Sequence, residues 1–307
     1  MKTTLLITGV AGFIGSKIAK KALEKGFKVI GVDDFSSGKK EQIPTGLEFY
    51  AYDLSDKNLV NQLPAKVDYI LHLAGQSSGE ISFDNPISDL KKNTHSTINL
   101  IQFGIKNKVK KILYASSMSV YGAVKDIPIS EQQEALPLSC YGVGKRASEQ
   151  YLFIFRDQLP YISYRMFNVY GPGQDLTNMQ QGMVSIFLSQ ALQSNAILVK
   201  GSLDRFRDFI YVDDVADCWL KGIELDELKN LTVNLGTGER IEVGDLVREI
   251  SRHFDQPSIT VEGSTPGDQF GIYADTSLLK KSFQIDQLTS FKEGLKNFVN
   301  WAKSQKK

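Results

Sequence analysis

The chain has 307 residues, 42% of them hydrophobic and 23% charged, with a formal net charge of +1. That length can bury a large core, with two domains in one chain as the natural expectation, while the near-neutral balance supplies no field for nucleic acid or an acidic membrane and points to a small-molecule partner. Two cysteines (Cys140, Cys218) and three scattered histidines (His72, His95, His253) lack metal-ligand spacing, which excludes a disulfide framework and argues against a metal site. The lysine pairs Lys39–Lys40, Lys110–Lys111 and Lys306–Lys307 read as solvated faces. The opening "MKTTLLITGVAGFIG" carries only a short apolar run broken by glycines, and no apolar span of about 20 residues follows, so a soluble, cytoplasmic protein is expected.

In chain order, β-branched runs alternate with amphipathic stretches: "TTLLIT", "FKVIGVD", "LEFYAYD", "VDYILHLA", "KKILYASS" and "YISYRMF" are separated by segments such as "GSKIAKKALEKG" and "NTHSTINLIQFGIKN". Strands spaced by helices predict parallel βαβ units on one sheet, an α/β doubly wound (Rossmann) fold. After Asn168 the rhythm changes to loops rich in Gly, Asn and Gln, a helix near residues 184–193, then "RDFIYVDDVADCWLKGI" and a further strand, "LTVNLG". The expected organisation is a dinucleotide-binding domain over residues 1–168 with a return at about 205–235, and a smaller interleaved substrate-binding portion over 169–204 and 236–307.

The first unit places Gly9, Gly12 and Gly15 after a strand and at the mouth of a helix, and Asp33 ends the next strand. The glycines suit a tight turn, close approach to a pyrophosphate and close helix-to-strand packing, although the spacing is G-x-x-G-x-x-G rather than G-x-G-x-x-G. Asp33 would accept from the adenosine ribose and repel a 2′-phosphate, and no arginine stands nearby in sequence to welcome one, so NAD is favoured over NADP. Asp34 reads equally well as a turn residue.

Two tyrosine–lysine pairs have the spacing that brings i and i+4 to one helical face, Tyr141/Lys145 in "SCYGVGKRASEQ" and Tyr121/Lys125 in "SVYGAVKDIP". Gly122 and Pro128 make the second a loop. The first follows Pro137 and Ser139, which can start and cap a helix, so there the Lys145 charge would lower the phenol pKa from about 10 and make a general base.

With this glycine spacing joined to Tyr141 and Lys145, the sequence resembles the extended short-chain dehydrogenases/reductases, and within them the NAD-dependent nucleotide-sugar epimerases and dehydratases of the UDP-glucose 4-epimerase kind. Further motifs carrying the resemblance are "YDLSD", "LHLAG", "ASSMSVYG", "FNVYGPG", "RDFIYVDDVA", "NLGTGE" and "PGD" at residues 266–268. The resemblance implies cofactor contacts from Gly9, Gly12, Phe13, Ile14, Gly15, Asp33, Asp53, Leu54, Leu73, Ala74, Gly75 and Asn93. Tyr141 would be the base, Lys145 would also hold the nicotinamide ribose, and Ser117 would complete the catalytic set at the substrate. Asn168 and Arg207 would grip the substrate diphosphate. The alternative for Arg207 is a surface ion pair with Asp208 or Asp213, and that for Ser117 is a mere strand terminator. Many relatives carry arginine where this chain has Thr265, so phosphate binding there must be weaker or supplied from elsewhere, with Arg205 a candidate.

Dehydratase relatives carry an Asp-Glu pair at the positions of Met118 and Ser119, and decarboxylating relatives a glutamate at the second. Redox-neutral carbon-4 epimerisation therefore leads, ahead of a 4,6-dehydratase, a keto-sugar reductase and, from another class, an NAD-sensing binding module. The resemblance also implies a homodimer built on the helices flanking residues 93–103 and 146–155.

Overall fold

The computed structural model describes residues 2–125, 127–180, 182–263, 269–285 and 287–305. The first β-branched runs form β1 (Thr4–Thr8), β2 (Lys28–Val32), β3 (Glu48–Tyr50), β4 (Tyr69–His72), β5 (Lys111–Ser117) and β6 (Tyr161–Met166). Later in the chain come β7 (Asn168–Tyr170), β8 (Ala196–Lys200), β9 (Phe206–Arg207), β10 (Phe209–Tyr211), β11 (Leu231–Leu235), β12 (Ile241–Glu242), β13 (Ser258–Glu262) and β14 (Gly271–Ile272).

Seven strands make one parallel sheet in the order β11-β6-β5-β4-β1-β2-β3. This is the doubly wound arrangement expected from the sequence. Its strands are buried on both faces, so they read as continuous apolar runs. Leu5 and Ile7 enter the core beneath helices Phe13–Glu24 and Val212–Glu224, where Trp219 is fully buried. Leu6 and Ile70 enter the opposite core, shared with Leu100 and Leu152 of helices Ser96–Lys106 and Cys140–Ile154. Successive residues face opposite sides because the strand repeat is two.

The "LEFYAYD" run is shorter as a strand than in sequence, because β3 is the sheet edge and pairs only with β2. Lys111 is not a solvated lysine: it is buried at the start of β5 and donates to the carbonyls of Gly222 and Leu225 at 3.0 and 2.9 Å, closing the C-terminal end of helix Val212–Glu224. Beyond the main sheet, β7 pairs with β10, β9 lies between β12 and β14, and β8 pairs with β13. A separate core of Tyr170, Phe187, Phe209, Leu246 and Phe298 packs there, and helix Met183–Ser194 covers the expected stretch. No helix among the described residues is long and apolar enough to cross a membrane.

Helix Cys140–Ile154 begins as its sequence requires: the Ser139 side chain accepts from the Gly142 N–H at 3.1 Å. Its position is then fixed by Glu149. This buried carboxylate receives Ser116 Oγ at 2.6 Å, a two-pronged contact from buried Arg165 at 2.9 and 2.8 Å, and Arg146 at 3.0 Å. Burial is the largest single influence on its pKa and raises it, but these partners together outweigh burial and hold the pKa low.

Replacing Glu149 with Gln should leave the Arg165 charge without its counter-ion and destabilise the protein by about 3 kcal/mol, read from urea unfolding at neutral pH. Because folding depresses the Glu149 pKa, its contribution is full above the unfolded carboxylate range and is lost as pH falls through the lower folded value. The gap between wild type and Glu149→Gln should therefore narrow on acidification.

Candidate active site

The winding of the main sheet reverses between β1 and β4, which opens a crevice at the carboxyl ends of its strands. The chain leaves β1 through Gly9, whose φ is +70°, and a Cβ there would lie 2.8 Å from the Ala74 nitrogen. A Cβ on Gly15 would sit 2.1 Å from the Gly9 carbonyl oxygen, so helix Phe13–Glu24 can start this close to the strand only with glycine. Gly12 is the N-cap and offers no side-chain acceptor, and the first turn contains no acid. Its positive end and open N–H groups are left to an anion in the cleft.

One cleft is lined by Gly9, Gly12, Phe13, Ile14, Gly15, Asp33, Asp53, Leu54, Leu73, Ala74, Gly75, Tyr141 and Lys145. Asn93 is not in the lining. It lies beneath Gly75, whose added Cβ would meet its Oδ1 at 2.5 Å, and that buried oxygen finds no partner within the described chain. Asp33 is held rigidly: its two oxygens accept from the N–H groups of Ala11 and Phe35, each at 2.9 Å, while burial pushes its pKa up. A glycine cradle at a helix N-terminus with a fixed carboxylate at the next strand end fits a dinucleotide.

At the other end, Tyr141 and Lys145 share the buried face of helix Cys140–Ile154. Glycines on either side let that helix press inward: a Cβ on Gly142 would strike the Ser119 carbonyl at 2.6 Å, and one on Gly144 would come within 3.2 Å of Asn93. The Lys145 ammonium sits 5.1 Å from the Tyr114 ring centre and 5.6 Å from that of Tyr141. Ser117 ends β5 and its Oγ accepts from the Ser119 N–H at 3.1 Å.

The electrostatics differ from the sequence expectation. Burial pushes the Tyr141 phenol up to about 12, Ser117 pulls it down and the Asp89 charge raises it further. Lys145 is itself brought down to about 8 by burial, opposed by Asp89. Desolvation outweighs the pairing inferred from spacing because both groups lie inside the protein.

Tyr121 has become part of the core. It is buried, its hydroxyl donates to Asn234 Oδ1 at 2.5 Å and Arg165 stacks 4.8 Å from its ring centre, whereas Lys125 is exposed.

Asn168 donates through its Nδ2 to the Asp208 carbonyl at 3.0 Å and contacts Met118 Sδ at 3.5 Å, which places it beside the turn that follows Ser117. Arg207 is buried, not on the surface; it donates to the carbonyls of Phe206, Gln269 and Phe270 at 2.7, 2.7 and 3.1 Å. Neither proposed surface partner takes part in an ion pair with it there: Asp208 is fully buried and accepts from Thr237, Gly238 and Ala274, and Asp213 pairs with Lys17 and Lys21. Arg205 turns back on its own loop, donating to the Lys200 and Ser202 carbonyls. Thr265 and the "PGD" motif lie outside the described residues.

Several residues of the site carry no sequence signal. Lys92 joins Asp34 and Asp53, which lie 58 and 39 positions away. Lys39 reaches Asp175 at 2.9 Å and Gln42 reaches the Gly173 carbonyl at 2.7 Å, closing loops over the cleft. Among the described residues no three His, Cys, Asp or Glu side chains gather as metal ligands.

Fold and cleft together define a dinucleotide-binding protein. The NAD dependent epimerase/dehydratase family matches residues 5–236, and the chain belongs to that family. A relative called a putative UDP-glucose 4-epimerase, from Methanocaldococcus jannaschii, is 34% identical over 315 residues, covering 98% of each chain. The UDP-glucose 4-epimerase of Thermotoga maritima, solved with UDP-glucose, superimposes with a TM-score of 0.94 at 32% identity, covering 99% of this chain and 100% of that one. The UDP-glucose 4-epimerase of Thermus thermophilus, solved in complex with NAD, gives a TM-score of 0.91 at 29% identity over 98% and 99%. The cofactor is NAD.

Substituting Gly15 with Ala should lower NAD affinity at least tenfold, by forcing the helix start away from the Gly9 carbonyl. Titration of NADH fluorescence measures it, and thermal melting separates the loss from unfolding. Tyr121→Phe should leave that affinity unchanged and cost about 1 kcal/mol of stability through its bond to Asn234.

Proposed function

We propose that the protein interconverts a nucleotide-activated hexose and its carbon-4 epimer through a transient 4-keto sugar. The observation that carries this reading is that Tyr141 and Lys145 line one end of the cleft with Ser117 against Tyr141, and that neutral Met118 and Ser119 occupy the turn Met118–Val120 where elimination or decarboxylation would need carboxylates.

NAD, when bound, supplies the acceptor and later the donor of hydride. Tyr141 takes the proton of the sugar 4-hydroxyl as hydride leaves carbon 4, and Ser117 hydrogen-bonds the oxygen as it becomes a carbonyl. Lys145 would hold the nicotinamide ribose. Once the keto sugar has turned over, Tyr141 would return the proton to its oxygen, and with hydride restored to the opposite face no net oxidation would remain. Residues 169–204 and 236–307 supply the substrate walls in this reading. Arg207 grips the diphosphate with Asn168, and its carbonyl contacts hold the guanidinium in place for that task. UDP is the favoured nucleotide because the relatives above are UDP-glucose 4-epimerases by name.

We also assign the working unit as a homodimer. Ile87, Leu90, Val143, Tyr151 and Ile154 are exposed on helices Pro86–Leu90 and Cys140–Ile154, while helix Ser96–Lys106 is mostly buried. An apolar stripe of this kind is costly to leave in water. Ile154→Asp should convert a dimer to a monomer in light scattering.

Incubation of UDP-glucose with catalytic amounts of enzyme and no added NADH should give its carbon-4 epimer by NMR, with the same final ratio from either side. A 4-keto-6-deoxy sugar, or consumption of NADH in step with product, would reject the reading. A panel of UDP-, GDP-, CDP- and dTDP-hexoses identifies the nucleotide. Tyr141→Phe should lower kcat by about 100- to 10,000-fold with NAD still bound.

A further inference from the structure

The adenosine end of the cleft contains an arrangement that hydride chemistry does not use. Lys92 stands on the helical turn Lys91–His95, with its ammonium 2.8 Å from Asp53 Oδ2 and in direct contact with Asp34 Oδ2. Asp33, Asp34, Asp53 and Lys92 all line the cleft, and the Lys92 charge is felt at Asp33. Lys39, the other cation lining this end, is bound to Asp175.

A ribose 2′-hydroxyl suits these surroundings, because a carboxylate accepts its proton. A 2′-phosphate does not: with close to two negative charges at neutral pH, it would face three carboxylates while both ammonium groups are already paired. The preference for NAD is thus more than the lack of a nearby arginine in sequence, since the fold brings a cation to the ribose end and the chain occupies it.

We propose that Asp34 is a specificity-determining residue that, together with Asp53, keeps Lys92 occupied, and that Lys92 is a latent 2′-phosphate site. The inference rests on NAD as the cofactor and is independent of which sugar reaction follows. Asp34 is the informative position. Both oxygens of Asp33 are committed to backbone N–H groups, so changing it would disturb the glycine turn. Asp34 accepts from the Ser36 N–H through Oδ1 at 2.9 Å, a contact asparagine can copy, and faces Lys92 through Oδ2. Asp34→Asn therefore removes the charge and keeps the turn.

The test is a cycle of four proteins: wild type, Asp34→Asn, Lys92→Met and the double variant. Each full-length protein is titrated with NADPH and with NADH by fluorescence, and thermal melting confirms the fold. Asp34→Asn should tighten NADPH binding about tenfold, the scale of one charge-assisted hydrogen bond, while NADH changes less than about threefold. Lys92→Met should abolish that gain in the double variant and give none alone. If Asp34→Asn tightens NADPH equally with and without Lys92, simple relief of repulsion explains selectivity and Lys92 is not a latent site. No tightening in Asp34→Asn overturns the proposal as well. Asp34→Ser, which also preserves a turn acceptor, repeats the cycle should the asparagine variant melt early.

Discussion

The relative position of Tyr141, Lys145 and Ser117 depends on one buried carboxylate. Glu149 lies two helical turns beyond Tyr141 and one beyond Lys145, and it binds Ser116, the residue before Ser117, and Arg165 of β6. The same side chain thus joins the helix carrying Tyr141 to the strand end carrying Ser117. Arg165 extends the link by stacking on Tyr121 and donating to the Glu131 carbonyl, while Glu131 accepts from the Asn234 backbone. A charge pair this deep is costly to desolvate, and its geometry is satisfied on every side, which suits a role in fixing register more than in adding stability.

The second organising constraint is the reversal of winding between β1 and β4. It leaves the ends of those strands uncovered, and the chain meets the gap from several directions: the glycine turn after β1, Asp33 after β2, Asp53 after β3, Gly75 after β4 and Ala115 near the end of β5. Loop residues 39, 42, 173 and 175 then tie across the opening. A rigid sheet holds the cofactor's two ends at fixed separation, and loops provide the walls.

The main sheet was legible in the sequence because each strand is short, apolar and bounded by a helical repeat. The glycine cradle was legible because Gly9 and Gly15 have steric duties that no other residue can perform. The choice of Tyr141 over Tyr121 followed from punctuation by glycine and proline, and the structure separates them in the same way, one facing the cleft and the other locked in a core. Contacts between distant segments were not legible. Lys92 with Asp34 and Asp53, Lys111 with Gly222, and Arg207 with Gln269 join residues far apart in sequence, and local pattern holds no trace of them. Nor does spacing report burial, which is why Lys111, read as part of a solvated face, is a buried cation, and why the surface ion pair weighed as the alternative for Arg207 does not hold.

Burial also changes how the Tyr141–Lys145 pair is understood. Spacing alone suggests a lysine that ionises its neighbouring phenol, yet the protein interior drives both groups toward their neutral forms, the phenol to about 12 and the ammonium down to about 8. Asp89 opposes the second shift and reinforces the first, so it favours a charged lysine beside a protonated tyrosine. The chain by itself therefore sets the phenol as an acid. A base at this position requires positive charge at the cleft's inner end, and the oxidised nicotinamide ring carries such a charge whereas the reduced ring does not. Tyr141 would then be easier to ionise beside the oxidised ring and harder beside the reduced one, so the proton it holds would follow the charge of the ring.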